Sequence, residues 1–151
     1  NVMIVDLMRN DLGSICQSGT VEVPRLLSSE EHPGLQHLVS DVQGELLDNI
    51  SWREIFTALS PPGSVSGAPK SSATQVISEN EIARGPYCGA LGWVQGDQAI
   101  LSVAIRTFWK DSQLNFGTGA GITWASNATA EWEETQLKAR RLISIAGGDL
   151  L

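Results

Sequence analysis

Residues 119–141 read "GAGITWASNATAEWEETQLKARR" and set three ionisable side chains, Glu131, Glu134 and Lys138, at a spacing that can do chemistry. Positions i, i+3 and i+7 of an α-helix share one stripe, so these three project together while Glu133 points elsewhere. The stripe admits two readings. One is a solvated face carrying a single Glu134 to Lys138 ion pair, worth about 0.3–0.5 kcal/mol. The other is a pair of hard oxygen ligands for a divalent cation, with magnesium the usual choice when a substrate supplies further oxygens. Just upstream, Thr118, Gly119, Ala120 and Gly121 form a small-residue turn. Its open amides suit a carboxylate or phosphate, although a tight β-turn needs glycines too. The spacing lacks the Lys-Ser/Thr pair of a Walker loop and the helix that starts inside the Rossmann glycine pattern.

The elements that must position these groups follow from punctuation and period. Residues 128–145 are rich in Ala, Glu, Gln, Leu, Lys and Arg, contain no Gly or Pro, and predict a helix with Asn127 as its N-cap. "NVMIVDLMRNDLG" carries apolar residues on several faces and is either a buried helix or a strand running into a turn. "GTVEVPRLLSSEEHPG" reads as an edge strand followed by a loop, because Pro24 interrupts its alternation. "LQHLVSDVQGELLD" is the next strand. Ser51 caps a short helix, "WREIFTALS", that stops before Pro61 and Pro62, and a second helix follows Pro69 through "KSSATQVISENE". "YCGALGWV" and "AILSVAIRTFW", joined through "QGDQ", carry a hairpin signal, and "QLNFGTGAGITW" leads into the final helix. The predicted class is α+β, a mostly antiparallel sheet with flanking helices. No repeat, linker or low-complexity tract divides residues 1–151.

Composition bounds the function. The chain has 151 residues, 42% of them hydrophobic, and a net charge of −7 with only 10 Lys and Arg. General nucleic-acid binding is disfavoured, because phosphate contacts need clustered basic side chains. No apolar run reaches the roughly 18–20 residues of a membrane span, and no signal peptide is visible at the start. Cys16 and Cys88 read as reduced cytoplasmic thiols and have no metal-ligand spacing. The first residue is Asn, so the chain is expected to be cut from something longer.

Four stretches taken together narrow the reading: "MIVDLMRNDLG" (3–13), "PGSVSGAPK" (62–70), "RGPYCGALGW" (84–93) with "AIRT" (104–107), and "GAGITWASNATAEWEETQLKA" (119–139). In this order and spacing they resemble the C-terminal half of the chorismate-binding enzymes, which include anthranilate synthase component I, aminodeoxychorismate synthase component I and the isochorismate and salicylate synthases. The resemblance covers nearly the whole chain. It implies a site in which Mg2+, held between glutamates, binds the ring carboxylate of chorismate, with Glu134 as a direct ligand and Glu131 acting through water. A dianionic substrate calls for such a cation, which also stabilises electron flow as the C4 hydroxyl leaves.

The same resemblance assigns the other roles. Arg106 and Tyr87 match the pair that holds the enolpyruvyl carboxylate, a planar fork plus one phenol donor. Gly119 and Gly121 supply backbone approach to the ligand, Ser64 matches a Ser/Thr that touches substrate, and Lys138 balances charge among the acids. His37 matches a histidine near the departing hydroxyl, where an imidazole can orient or protonate that oxygen. His32 has no match. Asp6, Arg9, Asn10 and Asp11 read as internal scaffolding.

"SVSGAPK" points to the members that use ammonia. Within that branch "GPYCGA" and "SVAIRTF" look more like aminodeoxychorismate synthase, forming 4-amino-4-deoxychorismate for p-aminobenzoate and folate, than like anthranilate synthase. Ammonia would come from a glutamine amidotransferase subunit or fused domain. The resemblance places another magnesium ligand, and a ring-attacking lysine in a Pro-Ile-Lys-Gly-Thr-like segment, before Asn1, so the isolated chain is expected to be inactive. A noncatalytic module that binds an anion or a partner is the reading from another class. Exposed apolar strand edges are expected, with self-association or reliance on the missing half.

Overall fold

A computed structural model describes residues 2–32 and 35–148, the side chain of Leu35 excepted. Eleven elements run in the order α1 (Val2–Gly13), β1 (Glu22–His32), β2 (Leu35–Gln43), α2 (Trp52–Leu59), α3 (Gly63–Ser66), α4 (Lys70–Asn80), β3 (Ala90–Gln95), β4 (Gln98–Val103), β5 (Phe108–Lys110), β6 (Leu114–Phe116) and α5 (Ala128–Ile145). They fall into two compact units, Asn1–Asn80 and Glu81–Leu151. Among the described residues every strand pairing is antiparallel, in three hairpins β1–β2, β3–β4 and β5–β6, which agrees with the α+β class read from the sequence.

In the first unit the segment that period alone left open is a helix. α1 buries Val5 and Asp11 while Val2, Met3 and Ile4 stay exposed, which is why its apolar residues appear on several faces. The hairpin β1–β2 runs further than the expected short edge strand, to His32, and register shifts on either side of Arg25 let it pass Pro24, which has no N–H to give a ladder. Ser51 and Glu54 form a reciprocal capping box on α2. Such a cap satisfies two orphan donors and stabilises by about 1 kcal/mol. The helix ends at Leu59, ahead of Pro61 and Pro62 as predicted. Ile15, Cys16 and Ile55 form the core of the unit, packed by Leu12, Val21, Ile50, Trp52, Ala58 and Leu59.

In the second unit β3 and β4 pair residue for residue from Ala90↔Val103 to Gln95↔Gln98, with Gly96 at φ 62° in the turn. The expected longer strand breaks at residues 104–107, where Arg106 adopts φ 53°. β5 and β6 bring the Phe108 and Phe116 rings to 4.8 Å. α5 spans the predicted 128–145, with the Asn127 side chain accepting from the Ala130 amide. Apolar side chains lie open on this unit: all six residues of β3 are exposed, as are Ile100, Trp124, Trp132 and Leu137. No described helix is long and apolar enough to cross a membrane.

Candidate functional site

Four of the sequence-predicted site residues, Tyr87, Gly119, Glu134 and Lys138, meet around the turn that enters α5. Glu134 and Lys138 are one helical turn apart, and their charges close to 2.6 Å. The Lys138 ammonium also reaches the Gly119 carbonyl at 3.4 Å. Thr118, one residue earlier, donates its hydroxyl to the Thr135 carbonyl at 3.3 Å, so the glycine turn is moored to the middle of the helix. Tyr87 lies against the same turn. A Cβ added to Gly119 would stand 3.1 Å from the Tyr87 hydroxyl, so that phenol ends at the Gly119 backbone. Glu131 is half-buried and accepts from the Ser126 hydroxyl. Gly121 is exposed with open space where a side chain would be.

Tyr87 is placed by backbone pairing that continues the β3–β4 ladder. The Cys88 amide donates to the Ala104 carbonyl at 3.0 Å and the Ala104 amide to the Gly89 carbonyl at 2.8 Å. This pairing sets the start of "YCGA" beside "AIRT". Burial, with the Cys88 thiol adding to it, pushes the Tyr87 phenol up to about 12. A neutral phenol donates one hydrogen bond at any ordinary pH, which suits an anionic acceptor. Burial raises the Cys88 thiol as well, and at 4% exposure Cys88 is a packing residue.

Arg106 follows two residues after Ala104. Its left-handed backbone costs a non-glycine residue about 1–2 kcal/mol and lifts it out of the strand direction. Among the described residues its exposed guanidinium makes no hydrogen bond or ion pair, so its donors are available to a ligand.

The remaining predicted residues belong to the first unit. Ser64 lies in α3, a short helix with no counterpart in the sequence reading. Asp11 from the first motif accepts from the Gly63 amide at 3.1 Å and pairs with Lys70 at 3.1 Å, while Lys70 also donates to the Ala58 carbonyl. Two separated motifs are thus joined by one ion pair, and Asp11 is 8% exposed. This matches the scaffolding role read for Asp11. His37 is exposed on β2, opposite Glu30, with its ring 4.9 Å from that of His32.

The donor set bears on a metal. Mg2+ takes one or two carboxylates and completes its octahedron with water and substrate oxygens. Glu131 and Glu134 meet that requirement, and among the described residues no three His, Cys, Asp or Glu side chains gather into an all-protein cage. A cation on these two carboxylates would need substrate and water oxygens to complete its shell.

Sequence comparison decides the family. A profile described as chorismate binding enzyme matches residues 1–144. The chain belongs to the chorismate-binding enzymes. Its relatives include anthranilate synthase component 1 of Saccharolobus solfataricus, 42% identical over 97% of this chain and 36% of that protein, and that of Bacillus caldotenax, 45% identical over 94% and 28%. A solved structure of anthranilate synthase component I from Streptococcus pneumoniae superposes with a TM-score of 0.78 at 36% identity, over 93% of this chain and 33% of that one. This chorismate-binding chain therefore spans about a third of the length of those relatives.

Proposed function

We propose that the chain forms the part of an anthranilate-synthase-type enzyme that grips chorismate for amination by ammonia, yielding anthranilate, pyruvate and water. The observation that carries this reading is the convergence of Tyr87, Gly119, Lys138 and Glu134 in one unit of a chain whose reported relatives are named anthranilate synthase component 1.

In this reading Tyr87 donates its phenol proton to the enolpyruvyl carboxylate, and its raised pKa keeps that proton in place. Arg106 adds a planar two-point contact to the same group. Gly119 and Gly121 leave the backbone open to close approach. Glu134 and Glu131 would hold Mg2+, which when bound supplies positive charge at the ring carboxylate. Lys138, anchored on the Gly119 carbonyl, offsets the negative charge of Glu134. By the family resemblance alone, Ser64 would touch substrate and His37 would orient or protonate the departing hydroxyl. A glutamine amidotransferase component supplies the ammonia.

A second reading has one motivation in the sequence: "GPYCGA" and "SVAIRTF" resemble aminodeoxychorismate synthase. The named relatives favour anthranilate, and the burial of Cys88 removes that residue from contact with substrate. Product analysis with chorismate, Mg2+ and ammonium, using the enzyme that carries this chain, separates the two. Anthranilate with an equivalent of pyruvate supports the proposal. A product that keeps the enolpyruvyl group would establish the aminodeoxychorismate reading instead.

A further inference from the structure

The motif "RGPYCGALGW" holds a residue that the resemblance leaves without a role. Arg84 forks onto Glu81 through Nε and Nη2, at 2.7 and 2.6 Å, a two-point pairing that fixes the plane of the guanidinium. From there its central carbon stands 5.6 Å from the centroid of the Tyr87 ring. A cation over an aromatic ring is attracted by the negative π-face, so the pinned guanidinium is a cover for the ring. The ring also lies on the backbone of Gly117. A Cβ there would fall 2.4 Å from Tyr87 Cγ and 2.6 Å from Cδ2, closer than any real contact, so only glycine lets the chain run against the ring. Two residues on, the Tyr87 hydroxyl meets Gly119.

We propose that Arg84 and Gly117 are positioning residues that hold the Tyr87 ring and so aim its phenol at the substrate carboxylate; the proposal rests on the reading of Tyr87 as a substrate contact. A tyrosine side chain turns about two torsions, and a hydrogen bond to a ligand requires both to be set before the ligand arrives. Arg84 and Gly117 set them without touching the ligand. Glu81 acts one step further back, by holding Arg84.

The test is steady-state kinetics with chorismate, Mg2+ and ammonium on the enzyme that carries this chain, comparing Y87F, R84Q, R84K, G117A and the double variant Y87F/R84Q. Loss of the phenol in Y87F should raise KM for chorismate about tenfold, as removal of one hydrogen bond to a charged group does. R84Q should raise KM by a similar factor with kcat within about twofold, and R84K, which keeps the cation, should recover part of the loss. In the Y87F background R84Q should add less than about twofold, because a residue acting through the phenol has nothing left to aim. G117A should raise KM at least as far as Y87F, and if it does not fold the Arg84 variants carry the test. Equal effects of R84Q in both backgrounds would overturn the proposal. So would a Y87F effect with no R84Q effect, leaving the Tyr87 contact intact. If Y87F leaves KM unchanged, the reading of Tyr87 falls, and this inference falls with it.

Discussion

The two units of this chain are stabilised in different ways. Residues 1–80 bury an apolar cluster around Ile15, Cys16 and Ile55 and add the Asp11 to Lys70 pair beneath Gly63. In residues 81–148 the buried hydrophobic residues are small ones, Cys88, Ala104 and Ala139, and the side chains of the candidate site hang on backbone pairing, one mooring hydroxyl and a ring packed on glycine. The lesson is about what each unit can lose. Where burial and a partly buried ion pair hold the chain, a substitution acts first on stability. Where open polar groups converge, it acts first on binding and chemistry.

Glu134→Gln should have the largest effect. It removes a charge from the proposed cation site and should cut Mg2+-dependent turnover by more than about 100-fold, beyond what changes one shell away from a metal cost. Denaturation curves should barely move, since Glu134 sits half exposed in its ion pair. Mg2+ dependence unchanged in the variant would remove Glu134 from the site. Lys70→Met reverses the pattern. It leaves Asp11 at 8% exposure with the Gly63 amide but without its cation and should cost about 1–3 kcal/mol in urea unfolding. A loss under about 1 kcal/mol would show that the two units do not differ as described.

Arg106→Lys keeps both the charge and the φ of 53°, so it isolates the planar fork. The expected loss in kcat/KM for chorismate is about 1.5–3 kcal/mol, the range for a charged hydrogen bond. A value within about twofold of the parent would show that Arg106 does not hold the carboxylate. The smallest effect is a titration. The difference in tyrosinate absorbance between the enzyme that carries this chain and its Y87F variant reads Tyr87 alone. Its midpoint should lie near 12. With the folded value above the unfolded value of about 10, the contribution of this group to stability is intact below pH 10 and is lost as pH rises towards 12. A midpoint near 10 would mean that the ring is not covered.

Much of this fold is legible in the sequence. α5 begins and ends where composition and the Asn127 cap place it, and α2 starts just after its Ser51 cap and stops ahead of its prolines. The hairpin turn at Gly96 and the start of α4 after Pro69 also follow local chemistry. Such signals are short-range, and each is satisfied within a few residues. The pairing of Asp11 with Gly63 and Lys70 joins distant segments, and no spacing rule announces it. α1 stayed ambiguous because its apolar residues are not confined to one face. The break at Arg106 carried no mark either, since arginine is not a residue that signals a left-handed turn. At the site, the helical stripe foretold that Glu134 and Lys138 would meet, whereas the cover of Arg84 over Tyr87 needed three dimensions.

The backbone at Arg106 has a consequence for how the chain can change. Glycine would adopt φ 53° without steric penalty, so Arg106→Gly should relax the chain by up to about 1 kcal/mol, once the greater freedom of glycine in the unfolded state is set against it. Thermal unfolding should show a midpoint equal to or above that of the parent while chorismate use collapses. If Arg106 has its proposed role, selection for robustness alone would drift towards glycine at this position, and selection for turnover would keep the arginine. A library screened for heat tolerance and then for activity should therefore split at residue 106, with the hardiest clones among the inactive ones.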